Sequence, residues 1–144
     1  MTIGTKLGPL RVEFSRLGLC RVEFRRDDLP VATGRLAQQL RAYASGQPVH
    51  FACRLDLSSG TPFQQKVWRA LQSIPRGETR SYGWVARQIG QSRAVRAVGA
   101  ACGANPIPIV IPCHRVIASD GSLGGFGGGL TLKRRLLKLE GVTL

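Results

Sequence analysis

Along residues 8–25 apolar and polar side chains alternate, with Leu10, Val12 and Phe14 leading into Arg16-Leu17-Gly18 and Leu19, Val22 and Phe24 leading out. A period of two on both sides of a turn-like triplet predicts a β-hairpin. The rhythm then becomes helical. Leu36, Leu40 and Tyr43 share a face if residues 34–44 coil, and residues 50–57 return to a strand-like run. Ser58-Ser59-Gly60 is turn chemistry and closes a first lobe, residues 1–58, small and of mixed α/β type. Nothing in it carries recognisable chemistry, so its expected role is scaffolding.

From residue 61 to 144 the pattern is mainly helical. Thr61 as cap, Pro62 at the first helical position and Gln64 at the third form a capping box before Val67, Trp68 and Leu71, predicting a helix to about residue 73. A second helix is expected after Ser81, through Val85, Ala86 and Ile89 to a stop at Gly90. A third, capped by Ser92, is expected over residues 93–103. Two short helices joined by a tight turn predict a helix-turn-helix, although such pairs also occur as plain packing units. Arg93 and Arg96 fall on one face of the third helix, with Val95, Val98 and Ala101 on the other; a basic face favours DNA.

Asn105-Pro106-Ile107-Pro108 cannot continue a helix, since each proline removes a donor and biases its predecessor to extended geometry. Ile109, Val110 and Ile111 then form a short run to be buried, ending at Pro112-Cys113-His114-Arg115-Val116. Six glycines between residues 121 and 129 surround Leu123 and Phe126, a loop whose backbone can approach a ligand. Residues 130–140 read as an amphipathic helix, Leu132, Leu136 and Leu139 on one side and basic residues on the other. The fold class expected is α+β, with domains at 1–58 and 61–144.

Charge narrows the partner. Among 144 residues, 21 are Lys or Arg against 8 Asp or Glu, a formal charge of +13 spread through the chain. A polyanion is the natural partner, either nucleic acid or an acidic membrane surface. The first ten residues hold no apolar core of signal-peptide length and no stretch reaches transmembrane length, so a cytoplasmic protein without a membrane partner is expected. Cys20, Cys53, Cys102 and Cys113 show neither CxxC pairs nor disulfide-scaffold crowding, so they are expected as free thiols. His50 with Cys53 and Cys20 lacks tight ligand spacing, and no metal is expected.

Cys113 beside His114 is ambiguous by itself. Neighbouring side chains need not face one another, buried cysteines are usually inert, and a cysteine hydrolase would use the same pair. The wider words decide: GANPIPIV before IPCHRVI, then the glycine loop and LLKLEG, resemble the O6-alkylguanine-DNA alkyltransferase family from about residue 61 to 141. The N-terminal lobe matches more weakly, in keeping with that family's variable, ribonuclease H-like lobe.

The resemblance implies a role for each matching residue. Cys113 would be the alkyl acceptor; a free thiol with a pKa of about 8.5 needs help to ionise near neutrality. His114 would help through a water and Glu140 would hold His114, a relay with triad logic. Asn105 would brace the turn. Tyr82 would protonate the departing guanine and crowd the target phosphate, while Arg96 would fill the gap left by the flipped base from the minor groove. Arg93 and Arg115 are expected on DNA, and the small Ala97, Gly99 and Ala100 would allow close approach to its backbone. Carbonyls at Cys113 and Val116 would accept from the guanine amino group, and the amide at Gly127 would donate toward O6. Phe126 and Gly127 stand where many relatives carry tyrosine and serine, and Gly128 should leave the pocket mouth open to bulky O6 groups. The implied protein is a monomer without cofactor that acts once on duplex DNA containing O6-alkylguanine.

Overall fold

A computed structural model describes residues 1–26, 31–126 and 128–143. The chain divides into two compact units, 1–57 and 58–144, both mixing or juxtaposing helix and strand in an α+β fold.

In the first unit β1 (Thr2–Thr5), β2 (Gly8–Ser15) and β3 (Gly18–Glu23) form an antiparallel meander, and α1 (Arg35–Ala44) packs on β1. Leu10 and Val12 bury on one face as alternation requires, and Leu19 and Val22, three residues apart, are both buried because Cys20 between them is an extra residue in the ladder. The ladder slips by one residue between Glu13 and Phe14, so Phe14, expected in that apolar series, is 51% exposed. β1 was not legible: its only large apolar side chain is Ile3. The strand expected over residues 50–57 does not form. That segment touches β3 at a single bridge, Leu19 with Leu55, where Leu19 donates to the Arg54 carbonyl and Asp56 donates back to Leu19. One bridge does not make a ladder.

The second unit is built on α2 (Pro62–Leu71), α3 (Tyr82–Gln88), α4 (Val95–Gly103) and α5 (Leu130–Leu139). Thr61 and Gln64 close the capping box in both directions, at 3.1 and 3.0 Å. Ser81 accepts from the Trp84 amide and starts α3. The Trp68 indole on α2 donates to the Ala101 carbonyl of α4 at 2.8 Å, fixing two helices that also bury Val67, Leu71 and Val98. Two-residue strands β4 (Arg80–Ser81) and β5 (Val116–Ile117) pair in parallel. This pairing sets the start of α3 beside the chain that leaves Cys113.

Two helices depart from expectation. α4 begins at Val95, not at residue 93, because the Ala94 amide bonds the Gln91 carbonyl in a turn and Ser92 makes no cap. Arg93 therefore lies outside the helix whose face it was expected to share with Arg96. In α5 the buried set is Lys133, Leu136 and Leu137, and Leu132 and Leu139 are only half-buried. Glu140 is the residue that ends α5 rather than a member of it.

Candidate active site

Residues 105–112 form a rigid bracket. The Asn105 side chain accepts from the Ile107 amide at 2.9 Å and donates to the Ile111 carbonyl at 2.8 Å, spanning the two prolines that cannot donate. Inside the bracket Ile109 is held at φ 74°, the only positive φ outside glycine among the described residues. A buried β-branched residue there is strained by about 1–3 kcal/mol, which the bracket and the burial of Ile107, Ile109 and Ile111 must offset. The bracket ends in a single 3-10 turn, Cys113–Arg115, that buries Cys113 and His114 side by side.

Behind the thiol lies a buried charge cluster. His114 Nε2 is 2.7 Å from Glu140 Oε2, and both side chains are fully buried. Arg115 Nε donates to Glu140 Oε1 at 2.8 Å and Nη2 donates to Oε2 at 3.0 Å, while Nη1 donates to the Ile74 carbonyl at 2.6 Å. A carboxylate engaged this way only accepts, so the imidazole carries its proton on Nε2 and Nδ1 is the basic nitrogen. Burial pushes the His114 pKa down, opposed by Glu140, and the nearby Arg115 and Lys133 charges push it the same way as burial. Arg115, expected on DNA, thus turns its guanidinium inward as the partner of Glu140.

Cys113 lines a cavity of about 400 Å³ with Tyr82, Val95, Gly99, Cys102, Gly103, Gly125 and Phe126. Burial pushes the Cys113 thiol up; Asn105, the Lys133 charge and backbone amides at Cys113 and His114 pull it back. Tyr82 is also pushed up, first by burial and then by the two cysteines, with a Gly125 amide opposing. Its phenol therefore holds its proton. Gly124, at φ 68°, lies so close to Tyr82 that an added Cβ would sit 2.7 Å from the hydroxyl, so glycine there lets the loop cover the ring.

Lys133 is a buried charge beside the cavity that the sequence pattern did not reveal. Its amphipathic position promised solvent, yet it is fully buried. Nζ donates to the carbonyls of Val116 at 2.7 Å, of Gly125 at 3.1 Å and of Leu123, and lies 5.9 Å from the Tyr82 ring centroid. It ties the glycine loop to the segment after Cys113. The available signal was that a lysine interrupts the face continuing through Leu136 and Leu137.

Other expected residues fall as follows. Arg93, Arg96, Ala97 and Ala100 are exposed, and Gly99 reaches the cavity. Val95, expected on the helix face opposite the arginines, is 41% exposed at the cavity. Val116 is buried, and one lone pair of its carbonyl is taken by Lys133. Gly128 does not line the cavity; it abuts Leu132 and Phe126, so an added Cβ would press on the Phe126 ring at 3.1 Å. Gly127 lies outside the described residues. Among the described residues no three His, Cys, Asp or Glu side chains gather as a metal site, and no helix is long and apolar enough to cross a membrane.

The 6-O-methylguanine DNA methyltransferase DNA-binding domain matches residues 62–142. A methylated-DNA–protein-cysteine methyltransferase of Mycobacterium tuberculosis is 56% identical over 111 residues, 77% of this chain and 67% of that protein. The crystal structure of Mycobacterium tuberculosis OGT in complex with DNA superimposes with a TM-score of 0.86 at 46% identity, covering 96% of this chain and 90% of that one. S. pombe Atl1, solved with damaged DNA containing O6-carboxymethylguanine, is similar at a TM-score of 0.52 and 33% identity over 56% of this chain and 77% of that one. The chain belongs to the methylated-DNA–protein-cysteine methyltransferase family.

Proposed function

We propose that this protein repairs DNA by direct reversal, moving an alkyl group from O6 of guanine to its own Cys113. The observation that carries this reading is a buried thiol on the wall of a cavity of about 400 Å³, with the His114–Glu140 pair next to it in the chain and the Tyr82 phenol in the same cavity. Homologues solved on DNA and on alkylated DNA support the partner.

In the proposed reaction the Cys113 sulfur attacks the alkyl carbon and the bond from that carbon to O6 breaks. The electron pair enters the guanine ring, whose nitrogen takes the Tyr82 proton. The Cys113 proton passes through a water to His114 Nδ1, Glu140 compensates the imidazolium, and that proton then returns through solvent to the Tyr82 oxygen, so both residues end neutral. The product is a thioether, which is not reduced like a disulfide, so each molecule acts once.

O6 inside a duplex does not reach a buried thiol, so the base must leave the stack, at a cost of about a few kcal/mol. We read α3 and α4 as a helix-turn-helix that enters the minor groove, with Arg96 filling the gap and Arg93 on phosphate. Ala97, Gly99 and Ala100 give a small-residue surface for close approach. Tyr82 crowds the target phosphate. Carbonyls of Cys113 and Val116 and the Gly127 amide would hold the guanine edge; the second lone pair of the Val116 carbonyl serves this. Asn105 braces the bracket. The three-stranded N-terminal unit is read as a reduced ribonuclease H-like scaffold, and the protein as a cytoplasmic monomer.

An oligonucleotide carrying radiolabelled O6-methylguanine tests the reading. We expect one label per protein, on a Cys113 peptide, and none with Cys113→Ala, which keeps DNA binding. Binding without transfer would make this a flagging protein, and continuing product release would make it a hydrolase; either result overturns the proposal.

A further inference from the structure

Cys102 has no part in the reaction above, yet it shares the cavity with Cys113 and Tyr82. Ten residues separate the two cysteines, and the Asn105 bracket folds them back so that the end of α4 and the 3-10 turn face one space. Charge couples them as well: the Lys133 ammonium pulls both thiols down, and Cys113 pushes Cys102 up. Both are free.

We propose that Cys102 is a resolving thiol and that a small hydroperoxide entering the cavity converts the pair to a Cys102–Cys113 disulfide. The order of events follows from the surroundings. Burial pushes both thiols up, Cys102 to about 12, and the Lys133 charge opposes it at each. Cys113 shares its 3-10 turn with His114, whose Nδ1 is the basic nitrogen, and so supplies the first thiolate. Its sulfur attacks the outer peroxide oxygen, the O–O bond breaks, and the alkoxide leaves as an alcohol with the Cys113 proton. The Cys102 sulfur then attacks the sulfenic sulfur; the S–S bond forms, the S–O bond breaks, and hydroxide leaves as water with the Cys102 proton. Two thiols lose two electrons and the peroxide is reduced to alcohol and water. Without a resolving partner the sulfenic acid goes on to sulfinic acid, which thiols do not reverse, whereas a disulfide is reversible. That this preserves a single-use acceptor rests on the Cys113 reading; the disulfide itself does not.

Residues 97–115 contain both cysteines and no internal Lys or Arg, so trypsin releases them on one peptide. The reduced full-length protein is treated with hydrogen peroxide, remaining thiols are capped with iodoacetamide, and peptides are mapped. We expect four free thiols to fall to two, the 97–115 peptide to appear uncapped and lighter by two hydrogens, and dithiothreitol to restore both caps. In Cys102→Ala, Cys113 should advance to sulfinic acid that dithiothreitol does not reverse. Sulfinic Cys113 beside a capped Cys102 in the unaltered protein, or linkage of Cys113 to Cys20 or Cys53, sinks the proposal, and this wild-type map decides even if the variant fails to fold. A linked peptide from a protein that transfers no methyl group would retain the disulfide and remove the repair reading.

Discussion

At the residue scale, Glu140 is held by two partners that need it for different reasons. His114 needs an acceptor for Nε2–H, and Arg115 needs a counter-charge where its side chain is only 13% exposed. Glu140→Gln leaves Arg115 without one, and removing one partner of a buried pair costs about 3–5 kcal/mol. We expect a loss of that order in a urea titration, with slowed transfer in whatever fraction remains folded. His114 also gives a pH signature. Its folded pKa lies below the ordinary 6.5, so between the two values the unfolded chain binds more protons than the native one, and stability rises with pH. The contribution is fully present above 6.5 and is lost as pH falls from there through the folded value. Denaturant midpoints at descending pH should show the decline, and His114→Asn should flatten it; an equally steep decline in the variant would remove His114 as the cause.

At the element scale, α5 is more than a cover for the core. Lys133 donates to three carbonyls, on Val116, Leu123 and Gly125, and so connects the helix, β5 and the glycine loop. Burial lowers the Lys133 pKa, the cost of keeping a charge there. Lys133→Met preserves length and apolarity but leaves buried acceptors without a donor, at about 1–3 kcal/mol for such a group. We expect that loss in stability together with faster amide exchange across residues 121–126; unchanged exchange would show that the loop does not depend on the helix. Alternation made β2 and β3 legible, helical spacing α1, and caps α2 and α3, because each of these signals is satisfied locally. The start of α4 was not, since Arg93, Ala94 and Val95 suit a helix equally well and the Gln91–Ala94 turn decides where it begins.

At the scale of the whole molecule, the charge of +13 matters more than any single arginine. Binding to duplex DNA should release counterions, so log affinity should fall linearly with log salt at a slope of about −0.9 per phosphate neutralised. Fluorescence anisotropy across a salt series measures it. We expect Arg93→Ala to lower the slope by about one phosphate. Arg96→Ala should weaken binding and slow repair of duplex substrate more than reaction with free alkylguanine, because its proposed role is in the stack. Equal effects on both substrates would count against it.

The two-lobe α+β plan, the basic character and the Pro112-to-Val116 segment are written in the order of the residues, because alternation, caps, prolines and net charge act over a few residues or add over all of them. That order also pointed to Cys113, His114 and Glu140, through a resemblance of words rather than through geometry. It took the packing of distant elements to show that Arg115 faces Glu140, that Lys133 is buried, that Gly128 packs on Phe126, and that Cys102 shares a wall with Cys113. Those facts depend on which elements meet, and a helical period cannot say whether a lysine between two leucine turns meets water or three carbonyls from elsewhere in the chain.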